Sequence, residues 1–135
     1  ELQVRFEEER DSIAALSLTS NSSIQTAAAN DYSFENAYKR TFSGFVKVNT
    51  NLLLILFSTS GESKNIVNLA SYANQKNIEV ISFTGPGKNS LSTISDINIS
   101  SSSKRTCLIQ DFHQFLIHAI CIGIDVHLID CKNLT

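Results

Sequence analysis

Residues 52–63 read Leu-Leu-Leu-Ile-Leu-Phe-Ser-Thr-Ser-Gly-Glu-Ser, an apolar run that stops abruptly in a hydroxyl-rich loop. Leu52 to Phe57 has the length and continuous apolarity of a strand buried on both faces, as strands of parallel sheets are. Beyond Ser63, the residues Ile66, Val67, Leu69, Ala70 and Ala73 recur with a helical period. Asn74 to Asn77 ends that helix, and Ile78 to Phe83 is a second run of strand character. Strand, loop, helix and strand in such close succession make a βαβ crossover, whose two strands run parallel.

Outward from this unit, Ile13 to Leu18 is a further six-residue strand candidate, and Ile97 to Ser100 a weaker one. Ser22 to Ala29 is helix-like. Cys107 to about Ile124 reads as a long helix, apolar over a wide face, with Gln110, Gln114 and His118 every four residues along one side. Thr84 to Asn89 and Ser100 to Lys104, rich in Gly, Pro and Ser, are the expected flexible connections. The first ten residues are polar and helical in character and read as the end of a helix. The expected architecture is a three-layer α/β sandwich, a mainly parallel sheet flanked by helices on both faces, occupying residues 1–130, with 131–135 as a C-terminal tail.

A chain of 135 residues with 42% hydrophobic residues encloses one core. The net charge of -2 and the lack of any Lys/Arg run argue against nucleic acid as a ligand. The three cysteines, Cys107, Cys121 and Cys131, show no CxxC spacing, so reduced thiols and a cytoplasmic setting are expected. The apolar stretch from Phe115 to Ile129 is interrupted by His118, Asp125 and His127 and is short for a bilayer, so no membrane segment is expected. The first residues carry no apolar stretch of a secretory signal.

Hydroxyl side chains at a helix N-terminus, beside a glycine that lets backbone amides face outward, supply donors where the helix dipole favours an anion. Ser58, Thr59, Ser60 and Ser63 therefore suit a phosphate grip. On local grounds Ser58, Ser60 and Ser63 suit a helix cap equally well. His118 has the chemistry of a metal ligand or proton-transfer group, or that of a hydrogen-bonded core histidine. His113 and His127 lie off the Gln110-Gln114-His118 side and read as structural or surface residues. Asn30-Asp31 suits a turn and cap, or donors and acceptors for sugar hydroxyls. The run Glu7-Glu8-Glu9 reads as a solvated helix end, and Lys64 as an exposed helix residue.

Taken together these segments resemble the phosphoheptose isomerases of the SIS (sugar isomerase) type. The resemblance runs from Glu1 to about Asp125 through Thr26 to Phe34 (TAAANDYSF), Phe57 to Ser63 (FSTSGES), Val80 to Gly85 (VISFTG) and Ile109 to His118 (IQDFHQFLIH). It implies an enzyme that interconverts sedoheptulose 7-phosphate and a heptose 7-phosphate, a precursor of lipopolysaccharide. It also implies a cytoplasmic homotetramer with sites between subunits. By the resemblance, Ser58, Thr59, Ser60 and Ser63 form the phosphate loop, Asn30 and Asp31 contact substrate, and Glu1 and His118 are catalytic. Gln110 contacts substrate, and Glu1, Gln110 and His118 are zinc ligands. In the family a glycine-rich loop, a strand and a further histidine ligand precede the position of Glu1. Two positions depart from the family as the resemblance has it: Cys107 stands in place of an aspartate, and Glu62 in place of an asparagine inside the phosphate loop, where its charge is expected to weaken phosphate binding unless it points outward. The alternatives are a non-catalytic SIS module, such as the factor that associates with the replication initiator protein, or an isomerase of another phosphosugar. As the resemblance has it, that factor carries asparagine where His118 stands.

Overall fold

The computed structural model describes residues 1–47 and 51–133, with side chains as far as Asp130. In chain order these residues form α1 (Ser22–Asp31), α2 (Phe34–Val46), β1 (Leu53–Ser58), α3 (Lys64–Gln75), β2 (Glu79–Thr84), α4 (Ser90–Ile94), β3 (Ile97–Ser100) and α5 (Thr106–Asn133). The sheet has the order β1-β2-β3 and is wholly parallel, with Ser58 opposite Thr84 and Thr84 opposite Ser100 at the carboxyl ends of the strands. The βαβ unit read around residues 52–63 is thus present, and its loop opens at the edge where parallel sheets bind ligands.

Alternation along the strands divides the sheet into two faces. Leu54, Leu56 and Val80 pack with Phe42 of α2 and Leu69, Ala70 and Ala73 of α3 in the main core. Ala70 and Ala73 are fully enclosed, and having only a methyl group each they let α3 approach the strands closely. On the other face α5 lies against β2, its buried His113 ring close to those of Phe57 and Phe83. Helices therefore flank both faces, as expected of this fold class.

Several sequence expectations are corrected. Residues 1–10 are irregular rather than helical, because their polar groups are taken by remote partners: Asp125 accepts the amides of Glu7 and Glu8, and the Arg10 guanidinium donates to the carbonyls of Glu1 and Leu2. Ile13 to Leu18 forms no strand. It is open chain leading into a turn, its one backbone tie to the start of the chain being Ile13 N–H to Leu2 O at 3.0 Å. Strand character lies in having a paired neighbour, and an apolar run alone does not supply one.

The connection after β2 contains a one-turn helix, α4, closed by a capping box in which the Asn89 side chain takes the Ser92 amide and the Ser92 hydroxyl faces the Asn89 amide. Asn30 and Asp31 are the last residues of α1 and not a turn after it. The helix start is capped instead by Asn21, whose side chain accepts the Ile24 amide at 3.1 Å.

α5 continues nine residues beyond Ile124. Its segment Thr106–Asp130 has 25 residues of mean hydropathy 1.5, long and apolar enough to cross a membrane by length and composition, contrary to the shorter stretch expected. Leu108, Phe115 and Ile122 are exposed at seven-residue intervals, with Ala119 and Val126 beside them, the spacing of an a/d seam.

Candidate functional site

The loop after β1 is organised by its own hydroxyls. Gly61, at φ 66°, donates its amide to Ser58 Oγ at 3.1 Å, and Glu62 donates its amide to Ser60 Oγ at 3.1 Å. Ser58 Oγ and Ser63 Oγ lie 3.2 Å apart. Ser63 stands at the N-cap of α3, yet its side chain makes no capping bond. Ser58 and Ser60 bond within the loop instead of to α3. The capping interpretation therefore fails for these serines; in the first turn of α3 it is Asn65 Oδ1 that accepts the Ile66 amide, at 2.9 Å.

Neighbouring elements hold the loop from beneath. Gly85 donates its amide to Thr59 O at 3.1 Å, and Leu91 of α4 donates to Gly61 O at 3.0 Å. A Cβ on Gly85 would overlap Thr59 O, so glycine is required for this close approach. Glu62 bonds to the start of α4: its carboxylate accepts the Ser90 amide at 2.8 Å and the Ser90 hydroxyl at 2.6 Å. These bonds, the hydroxyl's first, hold its carboxyl below the usual range.

Asn30 and Asp31 are exposed and bonded to one another at 3.0 Å. They precede α2, whose Glu35 pairs with Lys64 of α3 at 3.0 Å and accepts Asn68 Nδ2 at its carbonyl. The two helices thus begin side by side, which brings Asn30-Asp31 to the same edge of the sheet as the serine loop.

The remaining candidates gather on α5. Ile109 abuts Gly85 at the base of the loop, and Gln110 is the next residue, on the exposed side. His118 is exposed and not a core histidine; its ring stacks on Phe6 with centroids 5.7 Å apart, and Gln114 Nε2 lies 3.1 Å from its Nε2. Burial raises the Cys121 thiol above its ordinary range, and the Glu1 carboxylate, acting next, raises it further. The N-terminal segment, which begins at Glu1, thus docks on the stretch of α5 that carries His118 and Cys121.

Sequence reasoning missed the residues that arrange this. Arg10 and Asp125 form a buried ion pair at 2.7 Å that holds the N-terminal segment on α5. A lone acid inside the apolar stretch Phe115 to Ile129 was the available signal, since a buried charge requires a partner. His113, rather than His118, is the buried histidine, and its Nε2 has no hydrogen-bond partner.

The expected zinc ligands do not close a site within one chain. Gln110 and His118 lie eight residues apart on an unbroken helix, about 12 Å of rise, which strains two bonds of about 2 Å to one ion. Among the described residues no group of three His, Cys, Asp or Glu is placed to hold a metal.

Comparison with known proteins bears on this arrangement. The SIS domain family profile matches residues 4–85. The chain is 38% identical to a phosphoheptose isomerase of Dechloromonas aromatica over 132 residues, 96% of this chain and 66% of that protein. It is likewise 38% identical to one from Coxiella burnetii over 132 residues, 96% of this chain and 65% of the relative. A solved phosphoheptose isomerase from Francisella tularensis matches with a TM-score of 0.85 and 29% identity, over 93% of this chain and 66% of that one. The phosphoheptose isomerase GmhA from Neisseria gonorrhoeae matches with a TM-score of 0.75 and 32% identity, over 85% of this chain and 63% of the other. The chain thus spans slightly less than two thirds of the length of these relatives.

Proposed function

The chain belongs to the SIS domain family, and we propose that the whole protein is an aldose-ketose isomerase converting sedoheptulose 7-phosphate to a heptose 7-phosphate. The observation that supports this reading is the docking of the N-terminal segment on α5, where Phe6 stacks on His118 and Arg10 pairs with Asp125. Similarity to phosphoheptose isomerases supports it.

In this proposal Ser58, Thr59, Ser60 and Ser63 donate to the substrate phosphate, aided by the N-terminus of α3. Asn30 and Asp31 bond sugar hydroxyls, and Gln110 orients the carbon chain. Glu1 and His118 divide the work of base and acid, one removing a proton beside the carbonyl while the other protonates the carbonyl oxygen. Zinc belongs to the proposal as an ion held between chains, with Glu1, Gln110 and His118 contributed by more than one copy; a bound cation supplies polarisation of the carbonyl. The exposed seam Leu108, Phe115, Ile122 and Val126 supports assembly into a homotetramer through α5, and with it a protein that is cytoplasmic rather than in a membrane. No role with nucleic acid is included, and the product would serve as a lipopolysaccharide precursor.

The second reading is a phosphosugar-binding SIS module without catalysis. The presence of both Glu1 and His118 favours the enzyme, because phosphate binding needs neither. Incubation of the full-length protein with sedoheptulose 7-phosphate, with His118→Ala and Ser60→Ala alongside, separates the two. The wild type should form the aldose, with His118→Ala losing about 100-fold or more in kcat and Ser60→Ala raising KM. No turnover by the intact protein with or without zinc rejects the enzyme; if the sugar phosphate still raises the melting temperature, the binding module stands.

A further inference from the structure

The Arg10–Asp125 pair is enclosed almost completely, with side-chain exposures of 2% and 3%. All its bonds have one purpose. Arg10 Nε donates to Asp125 Oδ1 at 2.7 Å, one terminal nitrogen donates to Leu2 O at 2.9 Å and Asp11 O at 3.1 Å, and the other donates to Glu1 O at 2.9 Å. Asp125 Oδ2 accepts the amides of Glu7 at 3.1 Å and Glu8 at 3.2 Å. Each of these bonds lies within residues 1–11 or ties them to α5, and none reaches the sheet or the core around α2 and α3.

Stability is a weak reason for such a pair, because an apolar pair of the same shape often serves as well once desolvation is counted. Placement is a stronger one. The planar fork of arginine addresses a carboxylate and three backbone carbonyls at once, in directions that no ammonium group reproduces. The groups so placed are Glu1, held at its own carbonyl, and Phe6, whose ring lies against His118 at an interplanar angle of 21°.

We propose that Arg10 and Asp125 are positioning residues that hold Glu1, and through Phe6 the imidazole of His118, in register for proton transfer. This rests on the isomerase reading above. Neither residue touches substrate, and the serine loop receives no bond from either. The pair therefore governs the chemical step and leaves phosphate binding alone.

The test compares full-length wild type, Arg10→Lys, Asp125→Asn and Ile78→Ala, the last a core truncation at the far edge of the sheet that lowers stability without touching the segment. Melting temperature, kcat, KM and the His118 ring-proton shifts are measured for each. Arg10→Lys keeps a cation for Asp125 but cannot span the three carbonyls, and it is expected to lower kcat about 10-fold or more. KM should stay within about 2-fold, the pattern of an interaction used in the transition state alone. Asp125→Asn, which retains an acceptor for the two amides, should lose less. Unchanged kcat in Arg10→Lys, or an equal loss per folded molecule in Ile78→Ala, overturns the proposal. If the wild type itself does not turn over, the isomerase reading falls and the ring shifts decide: loss of the Phe6 ring-current shift on His118 in Arg10→Lys upholds the positioning, and an unchanged shift rejects it.

Discussion

Replacing Gly85 with alanine places a methyl group where the Thr59 carbonyl oxygen already sits, with Ile109 Cδ1 3.0 Å away on another side. The obstructing oxygen is backbone at the root of the serine loop, and it also accepts the Gly85 amide at 3.1 Å. Relief therefore requires β2 and the loop to separate. Overpacking of this kind costs about 1–3 kcal/mol, and weakening the backbone bond adds about 0.5–1.5 kcal/mol. The sum is about 2–4 kcal/mol, which for a domain of this size lowers the melting temperature by roughly 6–14 °C. Thermal unfolding followed by circular dichroism measures it, with Gly44→Ala as the counterpart. Gly44 lies inside α2 with open space where its Cβ would be, so alanine there should stabilise by about 0.5–1 kcal/mol. Because the Thr59 carbonyl must move, Gly85→Ala should also lose the protection that inorganic phosphate or the sugar phosphate gives the wild type. A Gly85→Ala protein melting within about 2 °C of wild type would refute the crowding argument.

If the proposed assembly through α5 holds, Phe115→Glu in the middle of its exposed seam should leave the fold intact and give smaller species in sedimentation velocity; an unchanged profile would refute assembly through that seam. Asp125 is held below its ordinary range by the Arg10 hydrogen bond first and by the Glu8 and Glu7 amides after it, with desolvation opposing. Its folded value lies below the unfolded one of about 3.9, so its contribution is fully present above that pH and is lost as pH falls through the folded value. Acid titration of stability should therefore show a decline below about pH 4 that is shallower in Asp125→Asn. The Cys121 thiol is buried and raised, whereas Cys107 is exposed. In a Cys131→Ser background a thiol reagent at neutral pH should label Cys107 at least about 100-fold faster than Cys121, and equal rates would contradict the burial.

The βαβ unit, its loop and the helical run of α5 were legible because their signals are local: an apolar run, a cluster of hydroxyls, a period of three to four residues. The first eighteen residues were not. The amides of Glu7 and Glu8 go to Asp125, 118 and 117 positions away, and no local pattern announces such a partner. The same division separates the histidines. Spacing placed His113 and His118 on different sides of one helix, but only the packing of α5 on β2 determined that His113 is enclosed and His118 open.

By itself the sequence determined which chemical groups are present and at which ends of local elements: the hydroxyls before α3, the carboxyl of Glu1, the imidazole of His118. Tertiary structure alone decided their company. Ser90, 28 positions further on, takes the Glu62 carboxylate, and the Arg10–Asp125 pair carries Glu1 to α5. The physical reason is that a hydrogen bond or ion pair depends on distance in space, and over tens of residues distance along the chain carries almost no information about it.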